Sequence, residues 1–425
     1  LLTLMAAAVM LVLFFAFEYL RPQDMLPALA PFRIPLLLTA AMPLVWLLVA
    51  DKRVLKDQLI LLQVAFIGLV AVSVTWAVNH YWVFETFKVM VAYCVAATLP
   101  AAALLVSGRR LVAFFNCWIV IHVLLSLWAM THEGRGTGGF LGDENDLSLT
   151  LNMALPYAYY LLQRPGQPFW RRLLYMAACA TLAAGVVVSE SRGGFLGLVA
   201  VLFGIIMFSR QRVRNLLIIG AFGLIGLAVV SQEYVAEMQT IADTEDSTRH
   251  DRLYSWRRGW EMFLDHPLLG VGASNYPWRV QEYEIRSHEY LPGSVRLHGG
   301  RVAHSLYFTV IPEFGLAGIL LFSALSWLMF KRLRDVVRLE LKQPALFVAA
   351  PEFPLLARAM IVSMFGLFVS GAFISVLYYP HFWVLIGFTL GLTAAVSALT
   401  ASAEKGGVFT KEEKGAVFRN TARRS

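Results

Sequence analysis

The chain has 425 residues, 58% of them hydrophobic and only 15% charged, with a formal net charge of +8. So apolar a composition excludes an ordinary soluble domain, and many runs approach the ~20 residues that cross a bilayer. The positive balance does not call for nucleic acid, because the basic residues fall in a pattern set by membrane insertion.

Run length predicts an all-α, polytopic integral membrane protein of about twelve transmembrane helices. They run approximately over 2–19, 35–50, 58–77, 87–106, 111–130, 146–162, 173–189, 194–208, 215–231, 303–330, 355–377 and 380–400. Helices 1–9 occupy 1–231, a long loop follows over 232–302, helices 10–12 fill 303–400, and 401–425 form a polar tail. Leu20-Arg21-Pro22 shows no signal-peptidase pattern after the first run, so that helix reads as retained, although the sequence begins at Leu1 rather than Met. Cys94, Cys117 and Cys179 lie in apolar runs and read as small core residues rather than disulfides or metal ligands.

Basic residues alternate with the spans. One set of connections carries Lys52, Arg53 and Lys56; Arg109 and Arg110; Arg164, Arg171 and Arg172; Arg210, Arg212 and Arg214; and Lys331, Arg332, Arg334, Arg338 and Lys342. The opposite short connections carry Arg21, Arg33, Arg135 and Arg192. The positive-inside rule then places both termini in the cytoplasm and the 232–302 loop outside. That loop holds Arg249, Arg252, Arg257, Arg258, Arg279, Arg286, Arg296 and Arg301 but no lysine. Arginine in preference to lysine fits forked recognition of phosphate or carboxylate.

Four stretches could carry chemistry. "GRGTGGFLGDENDLSLTLNMALP", 134–156, presents Asp143, Glu144, Asn145 and Asp146, which read either as cation ligands without a spaced motif or as caps and turn formers. "VVVSESRGGFLGLV", 187–200, puts Arg192 at the outer junction of the seventh and eighth spans. Arg192 there either serves a ligand or snorkels and pairs with Glu190, and the glycine pair admits close approach of a ligand or another backbone.

"STRHDRLYSWRRGWEMFLDHPLLGVG", 247–272, predicts a helix from Thr248 and Asp251 to Pro267 and Gly270. Trp256, Trp260 and Phe263 form its apolar face, with Arg252 on the same face and Arg249 close to it. Arg257 and Arg258 are expected to point into solvent. Two arginines at a helix start make an anion site, the alternative being an interfacial helix anchored by its tryptophans. "RVAHSLYFTVIPEFG", 301–315, opens the tenth span with His304, which is a candidate general base or a hydrogen-bonded structural residue. His266, His288 and His298 are its rivals.

"SRGG" after a span, "RLYSW" followed by "HPLLGVGASNY", and "AHSLYFTVIPEFGLAG" opening the next span together resemble the O-antigen ligase superfamily. That group includes lipopolysaccharide O-antigen ligases, O-antigen polymerases and protein O-oligosaccharyltransferases. The resemblance covers about 134–330 and the twelve-span plan with one large periplasmic loop. It implies a GT-C-like glycosyltransferase of the bacterial inner membrane with a periplasmic active site. It also implies inverting transfer with no metal or other cofactor.

The implied donor is O-antigen on undecaprenyl pyrophosphate, and the implied acceptor is lipid A-core. The implied positions are His304 as the catalytic base and Arg192 and Arg252 on the pyrophosphate; Arg249, at the same helix start, joins them from the anion-site reading. The family's Gly-Asn loop appears here as "LGDENDLSL", more acidic than the pattern, which leaves the part of Asp143 and Glu144 open. The absence of a large soluble C-terminal domain points to the lipopolysaccharide ligase rather than to the protein-glycosylating members. Because donor and acceptor are both lipids, a cavity opening sideways to the membrane is expected under the 232–302 loop. A flippase or transporter is the competing class, but it would carry ionisable residues at mid-span, where almost every span here has none.

Overall fold

The computed structural model describes residues 2–49, 51–209, 247–287 and 299–405, with isolated positions between 211 and 238. The described elements are helical, with no strand among them. In chain order they are α1 (Leu2–Phe15), α2 (Pro22–Met25), α3 (Ile34–Val49), α4 (Gln58–Val72), α5 (His80–Ala92), α6 (Leu99–Leu104), α7 (Gly108–Met130), α8 (Glu144–Leu162), α9 (Phe169–Val188) and α10 (Arg192–Phe208). After the long connection come α11 (Ser247–Asp265), α12 (Tyr276–Arg286), α13 (Tyr307–Lys342), α14 (Glu352–Ser370) and α15 (Pro380–Lys405).

Among the described residues, 7 helical segments are long and apolar enough to cross a membrane, and 4–20, 34–49 and 192–208 form shorter apolar helices. The protein is an all-α, multi-pass membrane protein. The expected span over 215–231 falls almost wholly outside the described residues, as do 288–298 of the long loop, with His288 and His298, and 406–425 of the tail.

Several boundaries differ from the sequence expectation. The helix expected from 87 begins at His80, where Asn79 accepts a hydrogen bond from the Trp82 N–H at 3.3 Å and stops the fraying. The tenth span begins at Tyr307 rather than 303 and continues through the expected 331–343 connection to Lys342. Nothing breaks a helix in "KRLRDVVRLELK", and Arg332 holds it to Asp57 at 2.8 Å.

The centre of the bundle is α8, packed between α9, α10 and α14. It is more polar than a lipid-facing span, yet almost all of it is buried. Its polar side chains bridge to neighbours: Asn152 donates to the Gly194 carbonyl at 2.8 Å, and Ser363 of α14 donates to the Met153 carbonyl at 2.9 Å. In a membrane, where lipid gives helices no hydrophobic reason to associate, such contacts and close backbone approach hold the bundle together.

A break inside α13 shapes the outer end of the bundle. Pro312 and Gly315 interrupt the helix, and Gly315 has φ 57° and ψ −150°, a conformation essentially confined to glycine. The connection from α11 to α12 completes the interrupted bonding. Val271 and Gly272 donate to the Pro312 and Glu313 carbonyls at 2.9 Å each, while Leu316 and Ala317 donate to the Pro267 and Leu268 carbonyls at 2.8 and 3.0 Å. Glu313, 2% exposed, accepts from the Ser274 and Tyr276 backbone N–H groups at 2.8 and 3.1 Å and from the Tyr378 hydroxyl. One carboxylate thus joins α13, the start of α12 and the α14–α15 connection.

Candidate functional site

The stretch at 190–194 is a tight turn with a purpose in packing. Glu190 takes a left-handed φ of 53°, Ser191 caps α10 by accepting from the Gly194 N–H at 2.9 Å, and Arg192 is the first residue of that helix. The Ser191 hydroxyl donates to the Asn145 side-chain oxygen at 2.7 Å, which ties this turn to the start of α8. A Cβ at Gly194 would overlap the Ser148 side chain, and one at Gly193 would meet Phe373 at 3.1 Å. The glycine pair is therefore occupied by neighbouring helices, with Arg192 half-buried at the α10 start.

At the start of α8, Asp143 accepts from the Asn145 backbone and side-chain N–H groups, both at 2.8 Å. This is the capping arrangement, and among the described residues no group of three or more His, Cys, Asp or Glu side chains gathers as metal ligands would. Asp143 and Asp146 also face Tyr379. Burial, then Asp146 and Asp143, push the Tyr379 hydroxyl above its ordinary pKa.

The helix expected over 247–272 is α11, ending at Asp265. Trp256 lies on the protein side, stacked on Phe308 with ring centroids 5.3 Å apart and donating its N–H to the Ala303 carbonyl at 2.9 Å. Trp260, 47% exposed, does not share that burial. Arg258 corrects the expectation of a solvated side chain: it is 2% exposed, over the Tyr254 ring, 3.2 Å from Glu261 and 3.5 Å from the Tyr283 carbonyl it donates to. The buried face runs through Ser255, Arg258, Gly259 and Met262, where small residues let α12 and Phe308 approach. Arg257 is exposed as expected, and Arg252 is half-buried one turn beyond the exposed Arg249.

His304 sits just before α13 with a left-handed φ of 49°. Non-glycine residues adopt this conformation at a cost of roughly 1–3 kcal/mol, and it persists only where neighbours impose it. Here they do. Trp256 holds the Ala303 carbonyl, Ser305 N–H donates to the Ser375 hydroxyl at 3.3 Å, and Leu306 N–H donates to the Gly371 carbonyl at 2.7 Å.

The imidazole is exposed, with enough protein around it to disfavour its cation. Burial lowers its pKa from the ordinary 6.5, Arg252 and Arg301 lower it further, and Asp143 opposes them. His304, Arg252, Arg301 and Asp143 thus share one electrostatic neighbourhood. The 371–373 turn links two of the stretches: it touches Gly193, beside Arg192, through Phe373 and the His304 loop through Gly371. Arg301 stands three residues before His304 in the same motif, so its part was within reach of the sequence, whereas Asp143 lies far from His304 in the chain and no motif signals that pairing.

The result is a cluster of Arg252 from α11, Arg301, Asp143 from the α8 start and the His304 imidazole. It can hold an anion and accept a proton beside it. Comparison with proteins of curated function gives no match. The family model described as O-Antigen ligase matches residues 177–323, a stretch that takes in Arg192, Arg249, Arg252 and His304.

Proposed function

We propose that the chain is an O-antigen ligase: it transfers a glycan from undecaprenyl pyrophosphate to a sugar hydroxyl of lipid A-core, with inversion and without a metal. The observation that carries this reading is that Arg252 and His304 both lie in the family-matched segment, with the Arg252 charge lowering the pKa of the imidazole. A sugar hydroxyl is too weak an acid to ionise at neutral pH. His304, neutral there because its pKa is lowered, accepts the hydroxyl proton while the oxygen bonds to the anomeric carbon. The bond from that carbon to pyrophosphate breaks on the opposite face, which inverts the centre. Arg192, Arg252 and Arg249 take up the leaving group's charge, the part a divalent cation plays elsewhere.

The basic-residue alternation supports a twelve-span plan in the bacterial inner membrane, with both termini cytoplasmic and the 232–302 loop periplasmic. The test is purified protein with undecaprenyl-pyrophosphate glycan and lipid A-core in excess EDTA. Ligated lipid A-core is the expected product. Glycan lengthened on its own carrier would mean a polymerase, glycosylated polypeptide a protein O-oligosaccharyltransferase, and transfer only after Mg²⁺ or Mn²⁺ is restored would remove the arginine account.

A further inference from the structure

The turn between α4 and α5 is clamped to the connection between α11 and α12. Ala273 N–H donates to the Ser73 hydroxyl at 3.1 Å, and Asn79 N–H donates to the Asn275 side-chain oxygen at 2.7 Å. The Asn275 amide returns a bond to the Asn79 carbonyl at 3.2 Å. Beside this clamp is an apolar pocket of about 380 Å³, walled by Trp76, Leu268, Leu269, Val271 and Arg279. The part of its wall from Pro267 to Val271 belongs to the stretch that completes the interrupted bonding of α13.

Two donors in this wall are buried without a hydrogen-bond partner among the described residues: the Trp76 indole N–H and the Arg279 Nε–H. Buried polar groups are almost always paired, so these two mark a place for acceptor oxygens. The surrounding charges decide which kind. Arg279 gives another nitrogen to Glu282 at 2.8 Å, and Arg286 pairs with Glu282 and, at 3.7 Å, with Asp265. Two arginines thus face two carboxylates. The local charge is balanced, and the open donors suit neutral oxygens better than an anion.

Position narrows the occupant further. The apolar α4 ends at Val72, and exposed Tyr81 and Trp82 stand just beyond Trp76. Aromatic residues of this kind gather at the headgroup boundary of a bilayer. The neutral oxygens of a lipid at that depth are the ester carbonyls joining its acyl chains to its head. A polyprenyl pyrophosphate has no carbonyl and carries an anionic head, so it does not fit. The volume is near the small end of ligand pockets, which hold about 300–1,000 Å³. It suits one chain of a two-chain lipid better than many chains crowded on one disaccharide.

We infer that this pocket seats a diacyl glycerophospholipid, one chain against Leu268 and Leu269 and its ester carbonyls on Trp76 and Arg279. The bound lipid holds 267–272 against the break in α13. It takes no part in the proposed glycosyl transfer, and the inference stands or falls apart from that reading.

The test uses the full chain in nanodiscs and phosphatidylcholine with a diazirine in one acyl chain. Light should attach it to peptides containing Trp76 and 267–271. Diacyl phosphatidylcholine and phosphatidylglycerol should compete equally well. The dialkyl ether analogue keeps head and chains but lacks both carbonyls, and it should compete about tenfold more weakly, the worth of two modest hydrogen bonds. Trp76→Phe keeps an aromatic ring without the N–H and should narrow that difference to about threefold. If that variant does not fold, the ester–ether comparison in the parent decides alone. Equal competition by ester and ether lipids would leave only an apolar crevice and overturn the inference. A tenfold preference for phosphatidylglycerol would make the pocket an anion site and also overturn it. Far stronger competition by lipid A would give the pocket to the acceptor lipid instead, and labelling confined to other helices would remove the site. None of these results counts against the transferase reading.

Discussion

Arg252 and His304 are coupled by charge: the guanidinium on α11 helps to hold the imidazole at the α13 start below the ordinary histidine pKa. A protonated imidazole beside that cation is disfavoured, so the basic form survives to lower pH.

The sign of this coupling sets a pH dependence. In the proposed reaction the basic form of His304 is the competent one, so transfer should rise with pH through a midpoint below about 6.5 and be level at neutrality. Arg252→Gln removes one lowering influence and should move that midpoint upward, whatever it does to the maximal rate. A pH–rate profile of both proteins reads this directly; a midpoint that stays put in the variant would dissociate the two residues.

Arg252→Lys keeps the charge and should still be costly. Lysine offers a single point charge in place of a planar fork to phosphate oxygens. Loss of one charge-assisted hydrogen bond costs roughly 1.5–3 kcal/mol, equivalent to a roughly 10- to 150-fold lower rate. Steady-state transfer at matched protein level is the measurement, and near-parental rates would reduce Arg252 to a source of general field.

His304→Ala should lose roughly 10²- to 10⁴-fold in turnover while donor binding is retained. His304→Asn and His304→Gln discriminate base from structural residue, because both preserve a hydrogen-bonding side chain without a proton acceptor of the required strength. Asn also tolerates the left-handed backbone that His304 adopts. Full turnover in His304→Asn would end the base assignment.

Glu313→Gln should loosen the outer end of the bundle. The carboxylate accepts two backbone N–H groups and a tyrosine hydroxyl, and an amide presents an N–H₂ to at least one of these donors. Each buried group left unsatisfied costs about 1–3 kcal/mol. The expected result is a lower thermal midpoint in detergent and faster proteolysis within 266–276. An unchanged midpoint would show that the three contacts rearrange without cost.

Run length and capping made much of the fold readable. The α11 start followed from Thr248 and Asp251, and the turn at Ser191 marked the start of α10 within the same apolar stretch. Interior helices were harder. In α8, hydropathy cannot distinguish a span facing lipid from one enclosed by other helices, and its polar residues are the ones that reach across to them.

Arg258 was misread for a related reason. Aromatic periodicity picked out Trp256, Trp260 and Phe263, whereas the buried face is set by Ser255 and Gly259, whose small size admits α12. Of the candidate site, the individual residues were legible from their motifs. The influence of Asp143 on His304 was not, because it depends on the distance between segments far apart in the sequence. For Glu313 a signal was present: proline and glycine bracketing a carboxylate inside a span, "PEFG".

The break at Gly315 bears on how the protein is made. A helix interrupted in lipid leaves donors and acceptors that hydrocarbon cannot satisfy. In this chain the groups that satisfy them, from Pro267 to Gly272, precede the break in the sequence. During synthesis the patch is therefore ready before the gap it closes enters the bilayer. An order of segments reversed by circular permutation would expose the broken helix first, with nothing yet made to complete it.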